Sequence, residues 1–158
     1  MAEPLSDQII HKLENIDELY NRLILVVGPV GSGKTSAFQD VRKRTGAPLI
    51  NVNMELSRQM LELTERQRVL RLSGLLSDKI SEELSDIVLL DNIEILFDVS
   101  LMQDPLRLLQ GFSRNKTVVA SWNGSADQQY ISYATQGHPE YKRYSSRDLL
   151  IVNSQVMQ

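Results

Sequence analysis

The sequence predicts a three-layer α/β domain on a five-stranded, mostly parallel sheet, and three observations carry that expectation. Residues 23–27 (LILVV) and 87–90 (IVLL) are continuous apolar runs rather than alternating ones, the pattern of strands covered on both faces. Segments with apolar residues at helical spacing lie between the runs, as parallel crossovers require. The first run enters Gly28-Pro29-Val30-Gly31-Ser32-Gly33-Lys34-Thr35, a Gly-x-x-x-x-Gly-Lys-Thr loop between strand and helix.

Each part of that loop has a job. Gly31 and Gly33 let the backbone curl so that successive N–H groups point inward as an anion nest. The helix starting near Lys34 turns its free N–H groups and positive dipole end toward the same anion. Lys34 suits the β and γ oxygens of a nucleotide as a point charge, and the Thr35 hydroxyl suits Mg²⁺. Gly28 through Thr35, with Ser36 next along the helix, are thus the expected nucleotide contacts. With each residue type taken near the glycine frequency of ~7%, the four fixed positions arise by chance in about one chain in two hundred of this length.

Bulk properties narrow the class. A chain of 158 residues suits one domain with a real core, read here as 1–158 with residues 1–21 packing on the core as an N-terminal helix. The formal net charge of −3 carries no basic excess that would demand nucleic acid. The absence of cysteine excludes disulfides, thiolate zinc sites and cysteine nucleophiles. Met1-Ala2-Glu3-Pro4 does not begin a signal peptide, and no apolar run reaches membrane-spanning length, so a cytoplasmic protein is expected.

Residues 5–21 read as an amphipathic helix through Leu5, Ile9, Leu13, Ile16, Leu19 and Tyr20. His11 and Tyr20 are candidates for touching an adenine base, with simple packing as the plainer reading. After strand one (23–27), a helix runs to about Arg44 on an inner face of Ala37, Phe38 and Val41, ended by Gly46 and Pro48. Strand two is 49–52, and Asn53 can cap the next helix. Residues 54–84 read as two helices, the second opened by the capping-box pattern Thr64-Glu65-Arg66-Gln67 and buried through Val69, Leu70, Leu72, Leu75, Leu76 and Ile80. A helix is expected at 105–110 with Gly111 just past its end, strand four at 117–122 and the last strand at 149–152. No helical lid domain is expected.

Strand three ends in Asp91, 57 positions after Lys34. In parallel sheets ligands sit at the carboxyl ends of strands, so Asp91 should emerge beside the phosphate loop and hold Mg²⁺ with Thr35. Hydrolases of this type usually place a glutamate directly after that aspartate to polarise the attacking water; here the residue is Asn92, which cannot take a proton. Glu94 is the candidate substitute, although it can equally point away. Strand four delivers Ser121 and Asn123 to the same edge, either to read a γ-phosphate or merely to open a turn before Gly124. Residues 123–147 read as a long connection whose four tyrosines and three cations could stack on and neutralise DNA, anchor a protein, or simply cover the sheet. Asn115-Lys116-Thr117-Val118 has the first two residues of a guanine-reading Asn-Lys-x-Asp motif, but Val118 stands where the aspartate is needed.

The order of phosphate loop, strand-ending Asp91, polar strand end at Ser121 and Asn123, then arginines before the last strand resembles a minimal AAA-type ATPase core of the additional-strand class. That resemblance implies the strand order 5-1-4-3-2 and an arginine finger serving a neighbouring subunit, for which Arg143 and Arg147 are the candidates, Arg143 preferred. More narrowly, the chain resembles the BrxF family of small P-loop proteins from BREX bacteriophage-defence islands. This likeness rests on Gly28 to Thr35, on Glu55-Leu56-Ser57 through Glu65-Arg66-Gln67-Arg68, on the run from Leu89 to Phe97, and on Gly137-His138-Pro139-Glu140-Tyr141 through Arg147-Asp148-Leu149. It implies a nucleotide-dependent component of a multi-protein phage-restriction system, with a homo-oligomer and other BREX proteins as partners.

Three functional classes are open: an ATP-driven assembly or switch module with weak or partner-stimulated hydrolysis, a small-molecule kinase, and a nucleotide-binding structural module without turnover. ATP and Mg²⁺ are the expected ligands, with Lys34, Asp91, Asn92, Glu94, Ser121, Arg143 and Arg147 the candidate catalytic residues.

Overall fold

Seven strands and five helices form in the computed structural model, which describes residues 3–154. The strands are β1 (Leu23–Gly28), β2 (Leu49–Asn51), β3 (Ile87–Asp91), β4 (Thr117–Ala126), β5 (Tyr130–Tyr133), β6 (Lys142–Ser145) and β7 (Leu150–Asn153). The helices are α1 (Leu5–Leu13), α2 (Lys34–Thr45), α3 (Val52–Gln59), α4 (Glu65–Glu82) and α5 (Pro105–Phe112). Five strands pair in parallel in the order β2-β3-β4-β1-β7. Counted alone, these are the five strands in the order 5-1-4-3-2 that the resemblance implies.

The continuous apolar runs are explained by cover on both faces. In β1, Ile24 and Val26 face a core with Ile9 of α1 and Phe38 and Val41 of α2. Leu23, Leu25 and Val27 face the opposite core with Leu72, Leu76 and Ile80 of α4 and Leu106 and Leu109 of α5. No residue of this strand is more than 4% exposed apart from the terminal glycine, which is itself buried. Helices on both sides of one sheet make the three layers.

Several expected boundaries move. The helix over 5–21 stops at Leu13; a 3₁₀ turn at Ile16–Glu18 comes next, and Leu19 and Tyr20 are 43% and 76% exposed rather than part of an apolar stripe. Helix α3 is capped by Asn51, whose side chain accepts from Met54 N, and not by Asn53. The capping box at Thr64 and Gln67 forms, but of the predicted stripe only Leu72, Leu76 and Ile80 are fully buried, and Leu70 is 73% exposed. Gly111 lies inside α5.

The largest correction concerns residues 123–147. Strand β4 does not stop at Trp122: it runs on to Ala126, leaves the parallel sheet and pairs antiparallel with β5, which pairs with β6. Gly124 permits this, since a Cβ there would lie 1.8 Å from the Ser132 carbonyl oxygen. Tyr133 stacks on Phe97 at 3.5 Å between ring centroids, and Trp122 meets both rings edge-on. The Trp122 indole donates to Ser132 O, and Tyr144 packs against the same indole. Two of the four tyrosines are therefore part of an aromatic core.

Candidate functional site

Strand register builds the site. Leu90 pairs with Ala120, so Asp91 and Ser121, each one residue further, leave the sheet side by side. Gly28 pairs with Asn123, which brings the phosphate loop alongside. Three strand ends thus open on a cavity of about 320 Å³ that also takes in Gly31, Gly33, Thr35 and Ser36 from the loop and α2.

Within the loop, Gly31 and Gly33 have φ of +82° and +92°, in the left-handed region where a side chain is strained. Gly33 is the N-cap of α2, whose first turn faces the cavity. Pro29 and Val30 form the outward tip, Val30 at 82% exposure. The Lys34 side chain folds back into the loop. Its ammonium donates to Gly28 O and Pro29 O, each at 2.7 Å, and to Ser32 Oγ at 3.3 Å. Burial pushes the Lys34 amine below its ordinary value, while the charges of Asp91 and Glu94 pull it back up.

Asp91 is buried and held from three sides. Oδ2 accepts from the Thr35 hydroxyl at 2.7 Å; Oδ1 accepts from the Ser121 hydroxyl at 2.7 Å and from Asn92 N at 2.9 Å. Asn92 has φ +53°, which asparagine tolerates better than most residues, and this turns the chain sharply after β3. The turn is then clasped by Asn53, whose N–H donates to Asn92 O and whose side-chain oxygen accepts from Ile95 N at 2.7 Å. Ile93 and Leu96 are buried on its inner side.

That turn carries Glu94 into the cavity wall rather than away from it. Oε1 accepts from the Asn123 amide at 3.1 Å. Oε2 is buried and has no hydrogen-bond partner among the described residues. Asn92 also lines the cavity, but with an amide; besides Asp91, the carboxylate there is that of Glu94.

The donor chemistry fits a nucleotide polyphosphate with Mg²⁺. Among the described residues, no group of three or more His, Asp or Glu side chains could hold a metal. Thr35 and Asp91 offer two hard oxygen ligands already in contact, the small share a protein contributes when Mg²⁺ keeps phosphate and water oxygens as its other ligands.

Other candidates lie elsewhere. Arg143 and Arg147 do not line the cavity of their own chain; the Arg143 guanidinium lies 4.1 Å from the centroid of the exposed Tyr130 ring, and Arg147 is exposed just after β6. His11 pairs with Glu3, and Tyr20 lies beneath Arg114, both away from the phosphate loop. Lys116 sits at the opposite end of β4, donating to Glu83 O and Ser85 O. Sequence reasoning missed the clasp by Asn53 and a contact from Ser154 to the loop. Both join residues far apart in the chain, and no local spacing signals either.

Comparison with known proteins fits this geometry. The chain is similar in fold to the replication initiator DnaA bound to AMPPCP and single-stranded DNA, at 19% identity and a TM-score of 0.52 over 96% of this chain and 45% of that one. AMPPCP-bound DnaA from Aquifex aeolicus gives 18% identity and a TM-score of 0.49 over 94% and 44%. The chain thus spans less than half the length of these DnaA structures. No curated protein matches it. Among the described residues, no helix is long and apolar enough to cross a membrane. Residues 24–123, from the first parallel strand to the Asn123 that meets Glu94, match the ATPase family associated with various cellular activities, and the chain belongs to that AAA family.

Proposed function

We propose that this chain binds ATP with Mg²⁺ and hydrolyses it weakly, or when a partner completes the site, as an assembly or switch component of a BREX phage-defence complex. One observation carries the nucleotide reading: Lys34, Thr35, Asp91, Ser121 and Glu94 converge from separate elements on a single cavity beside a glycine-rich loop. Thr35 and Asp91 are the residues to hold Mg²⁺, which when bound neutralises developing charge on the phosphates. Lys34 exchanges its carbonyl partners for phosphate oxygens. Ser121 fixes Asp91, and Asn123 fixes Glu94, whose carboxylate orients the attacking water and takes its proton as the bond to the γ-phosphorus forms and the bond from that phosphorus to the β–γ bridging oxygen breaks, ADP leaving with the electron pair.

The BREX assignment is supported by the resemblance to the BrxF family, carried mainly by Glu55 to Arg68, by Leu89 to Phe97 and by Gly137 to Leu149. An in-trans role for Arg143 or Arg147 is supported by their exposure outside the cavity of their own chain. The segment from Tyr141 to Arg147 is also where DNA contact is proposed. Size exclusion with light scattering, with and without Mg·ATP, tests the assembly reading. A nucleotide-linked increase in mass that Arg143→Ala reduces is expected; an unchanged mass at every concentration overturns it.

A second reading, a nucleotide-binding module without turnover, is favoured by Asn92 standing next to Asp91. Under it, Lys34→Ala lowers the melting temperature in Mg·ATP and removes no activity. A small-molecule kinase has one supporting observation, a neighbouring cavity of about 360 Å³ between Pro29, Val30 and the start of the β4–β5 hairpin. A phosphotransfer screen with labelled ATP separates it from the other two.

A further inference from the structure

The last parallel strand ends inside the phosphate loop. Val27 of β1 pairs with Asn153 of β7, and one residue later Ser154 N donates to Val27 O at 2.7 Å. The Ser154 hydroxyl then donates to Ser32 Oγ at 2.9 Å. Its side chain fills the space above Gly28, where a Cβ would lie 1.6 Å from Ser154 Oγ and 2.9 Å from Ser154 Cβ. Gly28 is thus a glycine for a different reason from Gly31 and Gly33. Its φ is not left-handed; the serine of another strand occupies the place its side chain would take.

We propose that Ser154 is a positioning residue for nucleotide binding, acting through the hydroxyl of Ser32; this rests on the chain being a nucleotide-binding protein. A hydroxyl has two acceptor lone pairs and one proton. Ser32 Oγ accepts from Ser154 and from Lys34 Nζ, so both lone pairs are engaged and its proton is left for an anionic oxygen. The backbone bond to Val27 already anchors the strand end, so the side chain is not needed for that. Ser154 fixes the direction in which the middle of the phosphate loop donates.

Calorimetric titration of Mg·ATP into the full chain tests this with Ser154→Ala, Ser32→Ala and the double variant, alongside melting temperatures. Each single change is expected to weaken binding about fivefold, the worth of one hydrogen bond. The double variant should bind no more weakly than Ser32→Ala, because the two residues form one path. Ser154→Ala should melt with the wild type. Unchanged affinity in Ser154→Ala overturns the proposal, as do additive losses in the double variant or a loss that comes only with a lower melting temperature. In each of those cases wild-type binding leaves the nucleotide reading standing. A wild type that does not bind Mg·ATP overturns both.

Discussion

Asp91 and Glu94 stand three residues apart and line the same cavity, yet the fold treats them in opposite ways. Asp91 ends a strand, and its carboxylate accepts from two hydroxyls and a backbone N–H. Glu94 rides on a turn clasped from across the sheet edge; it accepts one amide and keeps one oxygen buried and, among the described residues, without a partner. Leaving a buried acceptor unmatched costs on the order of 1–3 kcal/mol, so a fold retains one only where something is gained. A carboxylate with both oxygens engaged is held in one orientation, and Asp91 Oδ2, with a single donor, keeps a lone pair for the Mg²⁺ proposed there. A carboxylate held by a single amide can turn its other oxygen toward a group that arrives with the substrate.

The strongest way to break that comparison is Glu94→Gln. Turnover is expected to fall by roughly 10²- to 10⁴-fold, the usual worth of a positioned general base, with Mg·ATP affinity retained. Asn92→Glu in the same background should not restore it, because Asn92 takes a left-handed φ that glutamate adopts poorly. A phosphate-release assay under saturating Mg·ATP reads both. Recovery by Asn92→Glu would move the water-orienting role back to the position beside Asp91.

Lys34→Ala acts on the other side of the comparison. Hydrogen bonds to charged groups contribute about 1.5–3 kcal/mol, so Mg·ATP binding should weaken by roughly 10- to 150-fold, read by calorimetry.

Asp91 was legible in the sequence and the setting of Glu94 was not, and the two elements explain the difference. A continuous apolar run ending in aspartate, downstream of a glycine-rich loop, places its carboxylate by parallel-sheet geometry alone. Register then brings Ser121 alongside, as seen in the pairing of Leu90 with Ala120. Glu94 depends on a turn set by Asn92 and gripped by Asn53, which local spacing assigned to a helix cap instead. The antiparallel hairpin was lost for a related reason. Gly124 reads as a breaker along the chain, yet it lets the Ser132 carbonyl approach and keeps β4 going. Where a residue's role is set by a neighbour distant in sequence, propensity and period carry no information about it.

Asn53→Ala sharpens this point. It removes the acceptor for Ile95 N and loosens the turn without touching Asp91. Turnover is expected to drop about fivefold, the worth of one hydrogen bond, with little change in Mg·ATP affinity. A fall in affinity with turnover unchanged would make Asn53 part of the phosphate site rather than the support of Glu94.

The smallest expected effect compares the two carboxylates directly. Lys34 is pushed down by burial and pulled up by Asp91 first and Glu94 second. Its charged form binds phosphate, so affinity is lost as pH rises through the Lys34 pKa. Replacing either carboxylate by its amide removes an upward pull, lowers that pKa and brings the loss to lower pH. ATP binding measured with the metal chelated keeps the lost Mg²⁺ ligand out of the result. The alkaline limb should move further for Asp91→Asn than for Glu94→Gln, because Asp91 exerts the larger pull. The reverse order would mean that Glu94 is the closer counter-charge, and that the carboxylate held by three donors is not the one that sets the field at the ammonium.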